Sequence, residues 1–150
     1  MKRIASIAVL AGLTFAAGAA LAHDDAYLDT QKAPNGGQLR MAGPNHYELV
    51  LVKDAKEVRE NPVVVYVTDH AGQRIPTAGA AGTATILAGK LKAAATLKPD
   101  GDNRMKGVAK YASTPGTKVV VSITLAGKPA EQARFTPLAV AKDTHTDHTH

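Results

Sequence analysis

The sequence predicts an all-β fold, an immunoglobulin-like β-sandwich of seven or eight strands. Three observations lead to this prediction. From about residue 38 to residue 138, apolar and polar residues alternate with a period of two in short runs. Turn residues separate these runs at intervals of about ten residues, which is typical of the short strands of a sandwich. No window of the chain has a convincing helical period.

The first 22 residues are predicted to be a cleaved secretory signal peptide. Lys2 and Arg3 precede a nearly continuous apolar run, and the segment closes on the small-x-small sequence Ala20-Leu21-Ala22. A membrane anchor is the alternative, but the run only just reaches spanning length. We therefore expect a periplasmic mature protein that begins at His23 and is not an integral membrane protein.

The segment before the domain, residues 23–36, is predicted to be a flexible leader. Its acidic, amide, Gly and Pro residues follow no period. The domain itself is predicted at 37–138. Its first strands are expected at 38–42 and, after a Gly-Pro-Asn turn, at 46–52.

The remaining strands are predicted from the same pattern of alternation and turn residues. Residues 53–60 are charged and fit either a helical turn or a short edge strand. The β-branched run at 63–67 then predicts the third strand. The turn sequence Pro99-Asp100-Gly101-Asp102-Asn103 predicts a hairpin between the strands on either side of it. The expected later strands are 62–69, 83–87, 91–97, 104–111, 118–125 and 132–136.

Composition excludes several classes of function. The formal net charge is +5, and the basic residues are scattered, so nucleic acid is not an expected partner. The chain has no cysteine, which excludes disulfides, thiolate metal sites and thiol nucleophiles. The usual catalytic and nucleotide-binding motifs are missing from the sequence, so we do not expect an enzyme.

The end of the chain carries the most specific chemical signal. Residues 139–150 are predicted to be a disordered tail, and His145, His148 and His150 lie there beside Asp143 and Asp147. Imidazole and carboxylate groups together suit copper, zinc or nickel, and copper is favoured by the intrinsic order of affinity. The alternatives are a purification tag or a merely polar terminus, although tags are usually uninterrupted histidine runs.

A second group of candidate ligands lies in the predicted domain. His46 and Glu48 are two residues apart on a predicted strand, so their Cβ atoms lie on one face, roughly 6.5–7 Å apart. They could bind one ion if another strand supplies more ligands, or they could be a solvent-facing polar pair. His70 fits either turn chemistry or metal binding. Met41 and Met105 could supply thioether ligands, but both fit core or inter-strand packing better.

Two segments resemble a known group of proteins. The first runs from Asn35-Gly36-Gly37-Gln38-Leu39 through His46-Tyr47-Glu48-Leu49-Val50, and the second runs from Val65 to Gln73. They are similar to small periplasmic β-sandwich domains associated with heavy-metal, copper-type efflux systems. The resemblance implies a domain that handles copper or related cations, with a metal-efflux pump component as partner and with His46 and Glu48 as the matching positions. This chain has Asn35 where that pattern has His.

The sequence therefore predicts a periplasmic protein that binds or buffers a transition metal of the copper type and is linked to metal resistance or efflux. Neutral imidazoles would capture the ion, and protonation below the ordinary imidazole pKa of about 6.5 would release it. The alternative is a non-catalytic protein-interaction or structural module of the cell envelope with no metal role.

Overall fold

The computed structural model describes residues 24–140. The predicted signal peptide, His23 and the three histidines of the tail lie outside the described residues. One short helix and eight strands make up the fold. They are α1 Asp25–Thr30, β1 Gln38–Ala42, β2 Asn45–Leu51, β3 Arg59–Asp69, β4 Ala81–Ala88, β5 Leu91–Pro99, β6 Arg104–Tyr111, β7 Lys118–Thr124 and β8 Ala130–Phe135.

The strands form where the period-two pattern is strongest, because alternate residues point to opposite faces of a sheet. In β3 the side chains of Val63, Val65 and Val67 are fully buried, whereas the intervening Val64 and Tyr66 are partly exposed. The same alternation recurs in β7. The prediction of an all-β fold with seven or eight strands is confirmed.

All neighbouring strands are antiparallel, in the order β1-β2-β3-β6-β5-β4-β7-β8. The end strands β1 and β8 also contact each other, so the sheet is nearly closed. The Gln38 side chain bridges β1 and the residue that follows β8. Its Oε1 accepts a hydrogen bond from the backbone N–H of Thr136 at 2.8 Å, and its Nε2 donates to Thr136 Oγ1 at 3.5 Å. A side-chain amide thus links two ends of the sheet that are not paired through their backbones.

The interior of this sheet is a single core to which every strand contributes. Aliphatic residues dominate it, with two buried tyrosines. Burial, together with the nearby Glu131 carboxylate, raises the pKa of Tyr47 to about 12. Burial also raises the pKa of Tyr111, whose hydroxyl donates to the Pro62 carbonyl at 2.6 Å. Met105 is fully buried here, which confirms its interpretation as a packing residue.

The connection between β2 and β3 matches neither of its two predicted forms. Residues 53–58 have no regular secondary structure, and Arg59 and Glu60 begin β3 opposite β6. The loop is attached to the chain just after β6 by Ala55, which exchanges hydrogen bonds with Ser113 at 2.8–3.0 Å. The predicted hairpin between β5 and β6 is confirmed, with Pro99 opposite Met105.

The leader differs from its prediction, because residues 25–30 form helix α1. Its one buried residue is Leu28, so the segment offered no apolar period to recognise. Tertiary contacts hold the helix instead. Arg40 in β1 is only 7 % exposed. Its guanidinium pairs with the carboxylate of Asp29 at 2.7 Å and with that of Asp25 at 3.5 Å. Within residues 24–140, no helix has the length and apolar character needed to cross a membrane.

Candidate functional site

A cleft of about 540 Å³ lies on the outer face of β1, β2 and β3. Helix α1 and the rest of the leader form one wall, and the turn after β3 forms another. The cleft exists because the leader folds over strand residues that would otherwise face solvent. Its polar and charged lining residues are Tyr27, Gln31, Lys32, Asn35, His46, Glu48, Tyr66, Thr68, His70, Arg74 and Asn103.

Two imidazoles meet in this cleft. The rings of His46 and His70 are stacked, with centroids 4.8 Å apart and planes 20° from parallel. The register explains this contact: His46 in β2 is paired with Thr68 in β3, and His70 follows two residues later. Diagonal neighbours of this kind are within reach of aromatic side chains. His46 is 8 % exposed and its Nε2 atom is buried, whereas His70 lies at the exposed end of the pair.

Glu48 lies on the same face as His46, as the sequence predicted, and both residues line the cleft. The pair does not face solvent, because Glu48 is only 3 % exposed. Its carboxylate accepts hydrogen bonds from the backbone N–H groups of Asn35 and Gly37, each at 2.9 Å, and from Asn35 Nδ2 at 3.0 Å. The carboxylate therefore anchors the leader to β2. The sequence could not reveal this role, because the donors come from a segment without a period.

Of the two packing positions expected for Met41, in the core or between strands, the structure shows the second. Met41 is paired directly with His46 across β1 and β2, so the two side chains project from the same face of the sheet. Met41 is half-buried and lies outside the core cluster. Register alone could have revealed this neighbour once the turn between β1 and β2 was recognised.

The candidate ligands thus fall into three sets. His46 and His70 are together, Met41 is opposite His46 in the neighbouring strand, and the tail histidines lie outside the described residues. Between residues 24 and 140, no cluster of three or more His, Cys, Asp or Glu side chains is arranged to hold a metal ion.

Comparisons with protein families, curated proteins and solved structures find no match to this chain.

Proposed function

We propose that this protein is a periplasmic, non-catalytic protein that binds a transition-metal ion of the copper type and buffers it or hands it over, in connection with metal resistance or efflux. The single observation that carries the proposal is the contact between His46 and His70 in an open cleft. Neutral imidazole nitrogens suit copper, zinc and nickel, and copper has the highest intrinsic affinity of the three.

The spacing of the two rings fits a shared ion. With a metal–nitrogen bond of about 2.0–2.1 Å, each ring centroid lies about 3.2 Å from the ion, and two ligands about 90–110° apart then have centroids roughly 4.5–5.2 Å apart. The observed separation is 4.8 Å. The rings are nearly parallel, so one of them has to turn for both to point a nitrogen at one ion. His70 is exposed and can turn without disturbing the core.

The tail is the second part of the proposal. His145, His148 and His150 would capture ions outside the folded domain, and the cleft would hold an ion within it. The periplasmic location rests on the N-terminal sequence pattern, and the link to an efflux pump component rests on the resemblance around residues 35–50. Glu48 is not among the proposed ligands, since its carboxylate accepts hydrogen bonds from the leader.

The alternative function, a protein-interaction or structural module, would be favoured by a strand edge open for pairing. The end strands β1 and β8 are not paired through their backbones, but they contact each other and the Gln38 side chain bridges them, which partly covers both edges. The histidine contact would also be incidental in such a module. Metal binding, in contrast, explains why His46 and His70 lie together and does not require an open strand edge.

Calorimetric titration with Cu(II) and with Zn(II) tests the proposal on the purified chain from His23 onward. To isolate the cleft, the titration is repeated with His145→Asn, His148→Asn and His150→Asn together. In that background His46→Asn or His70→Asn should weaken binding at least about tenfold, since each removes one nitrogen ligand.

The matched control is Gln73→Asn, an exposed polar residue in the same turn as His70. It should leave the affinity unchanged. Negligible heat from the unmodified chain would overturn the metal proposal as a whole. Equal affinities with and without His46 and His70 would overturn the assignment to the cleft.

The fold behind this site is proposed to be an immunoglobulin-like sandwich, with β1, β2, β3 and β6 facing β4, β5, β7 and β8. One fact supports this. Inward-facing residues from both groups of strands belong to one core.

A further inference from the structure

The outer face of β1 and β2 brings a thioether opposite one of the two stacked imidazoles. Met41 in β1 is directly opposite His46 in β2, and His70, in the turn just after β3, stacks on His46 from the other side of β2. An ion above His46 would therefore have the sulfur of Met41 on one side and the imidazole of His70 on the other. We propose that this site binds Cu(I), with His46, His70 and Met41 as its ligands. The inference rests on the proposed metal-binding function and specifies the ion.

The reach of the side chains allows this arrangement. Adjacent strands are about 4.8 Å apart, so an ion above β2 lies roughly 5 Å from the lines of β1 and β3. A methionine sulfur and a histidine nitrogen both span such a distance. Met41 is half-buried and is not fixed in the core, and an unbranched thioether adapts readily to a new position.

The softness of the ligands favours Cu(I) over divalent ions. Thioether sulfur is a soft ligand that selects Cu(I), whereas Zn(II) and Cu(II) are well satisfied by imidazole and carboxylate. Glu48 offers no oxygen that is without a hydrogen-bond donor, since three N–H groups point at its carboxylate. The three proposed ligands are therefore all neutral.

The charged side chains around the cleft also favour a monovalent ion over a divalent one. Lys32 and Arg74 line the cleft, and among the described lining residues Glu48 is the single anionic one. A site with neutral ligands and cationic neighbours repels a monovalent ion about half as strongly as a divalent one at the same distance, because the Coulomb energy scales with the charge of the ion. The site is therefore better suited to Cu(I) than to Zn(II) or Cu(II).

The test uses the chain from His23 onward with the three tail histidines replaced by Asn, so that the measured affinity is that of the folded domain without the tail. Cu(I) affinity is measured under reducing conditions by competition with a colorimetric Cu(I) chelator, and Zn(II) affinity by calorimetry. Met41→Leu conserves volume and removes only the sulfur. It should lower the Cu(I) affinity at least about tenfold and change the Zn(II) affinity by less than about twofold.

The matched control is Met105→Leu, which removes a sulfur from the core and should leave both affinities unchanged. X-ray absorption of the Cu(I)-loaded protein should show a sulfur ligand together with nitrogen ligands. The sulfur should disappear in Met41→Leu and persist in Met105→Leu.

The outcomes separate this inference from the proposed function. Unchanged Cu(I) affinity in Met41→Leu, or a copper spectrum with nitrogen ligands alone, would overturn the Cu(I) site while leaving metal binding by His46 and His70 intact. If His46→Asn and His70→Asn also have no effect on any ion, the proposed function fails at the cleft as well.

Discussion

Replacing Glu48 with glutamine should destabilise the fold strongly, although the change removes only one charge and no volume. The Glu48 residue is 3 % exposed, and its carboxylate accepts hydrogen bonds from three N–H donors of Asn35 and Gly37. In Glu48→Gln the new side-chain amide would keep one acceptor oxygen and present an NH₂ group to the other donors. At least one buried donor is then left facing another donor.

The magnitude follows from these contacts. A hydrogen bond to a charged group contributes about 1.5–3 kcal/mol, and a buried donor without an acceptor costs about 1–3 kcal/mol. The loss of one or two such bonds predicts a decrease in the free energy of unfolding of about 3 kcal/mol. For a domain of this size that corresponds to a decrease in Tm of roughly 10 °C.

Urea denaturation of the chain from His23 onward, followed by circular dichroism, measures the change. The matched control is Glu57→Gln, in the exposed loop between β2 and β3, which should change stability by less than about 0.5 kcal/mol. Equal stabilities of the two variants would refute the anchoring role of Glu48. If Glu48→Gln were to lose metal affinity without losing stability, the hypothesis of Glu48 as a metal ligand would be right instead.

Three further predictions concern the core and the leader. Between about pH 10 and 12 the unfolded chain deprotonates Tyr47 while the folded chain, with its pKa of about 12, keeps the proton. The free energy of unfolding should therefore decrease as the pH rises, by roughly 2–3 kcal/mol from this residue. Urea titrations at several pH values should show a smaller decrease for Tyr47→Phe than for the unmodified chain. The same pH dependence in both would contradict the prediction. Arg40→Lys removes the guanidinium that pairs with two half-exposed carboxylates. It should cost less than about 1 kcal/mol overall yet speed hydrogen exchange within α1, and unaltered exchange there would count against the pairing. In Gly107→Ala the new Cβ would meet the Thr96 carbonyl oxygen, so the free energy of unfolding should decrease by about 2 kcal/mol. The control in the same denaturation assay is Gly116→Ala, because Gly116 has open space around it.

The strands were predictable from the sequence because alternation and turn residues are local signals. Strand β1 and the β5–β6 hairpin illustrate this, since residues 38–42 and 104–111 match the expected bounds. Helix α1 was missed because one buried leucine in six residues makes no pattern, and long-range pairs with Arg40 hold it in place. A six-residue helix has too few turns to form on propensity alone.

The candidate site was predictable only in part, for the same reason. His46 and Glu48 share a face because they are two residues apart, which is local information. The contact of His46 with His70 and the pairing of His46 with Met41 depend on the register between strands. The role of Glu48 depends on where the leader folds, which no local pattern encodes.

The near-closure of the sheet at Gln38 and Thr136 also determines where the polypeptide enters and leaves the domain. A surface hollow of about 420 Å³ is lined both by Leu28 and Asp29 of α1 and by Ala139 and Val140, so the two ends of the described region are neighbours. Such proximity makes the domain a suitable scaffold for circular permutation, with a short linker joining the old ends and new ones opened in the exposed turn at Gly89 and Lys90 between β4 and β5. A permuted chain in which the leader stays joined to β1 would keep the cleft whole, since the leader forms one of its walls.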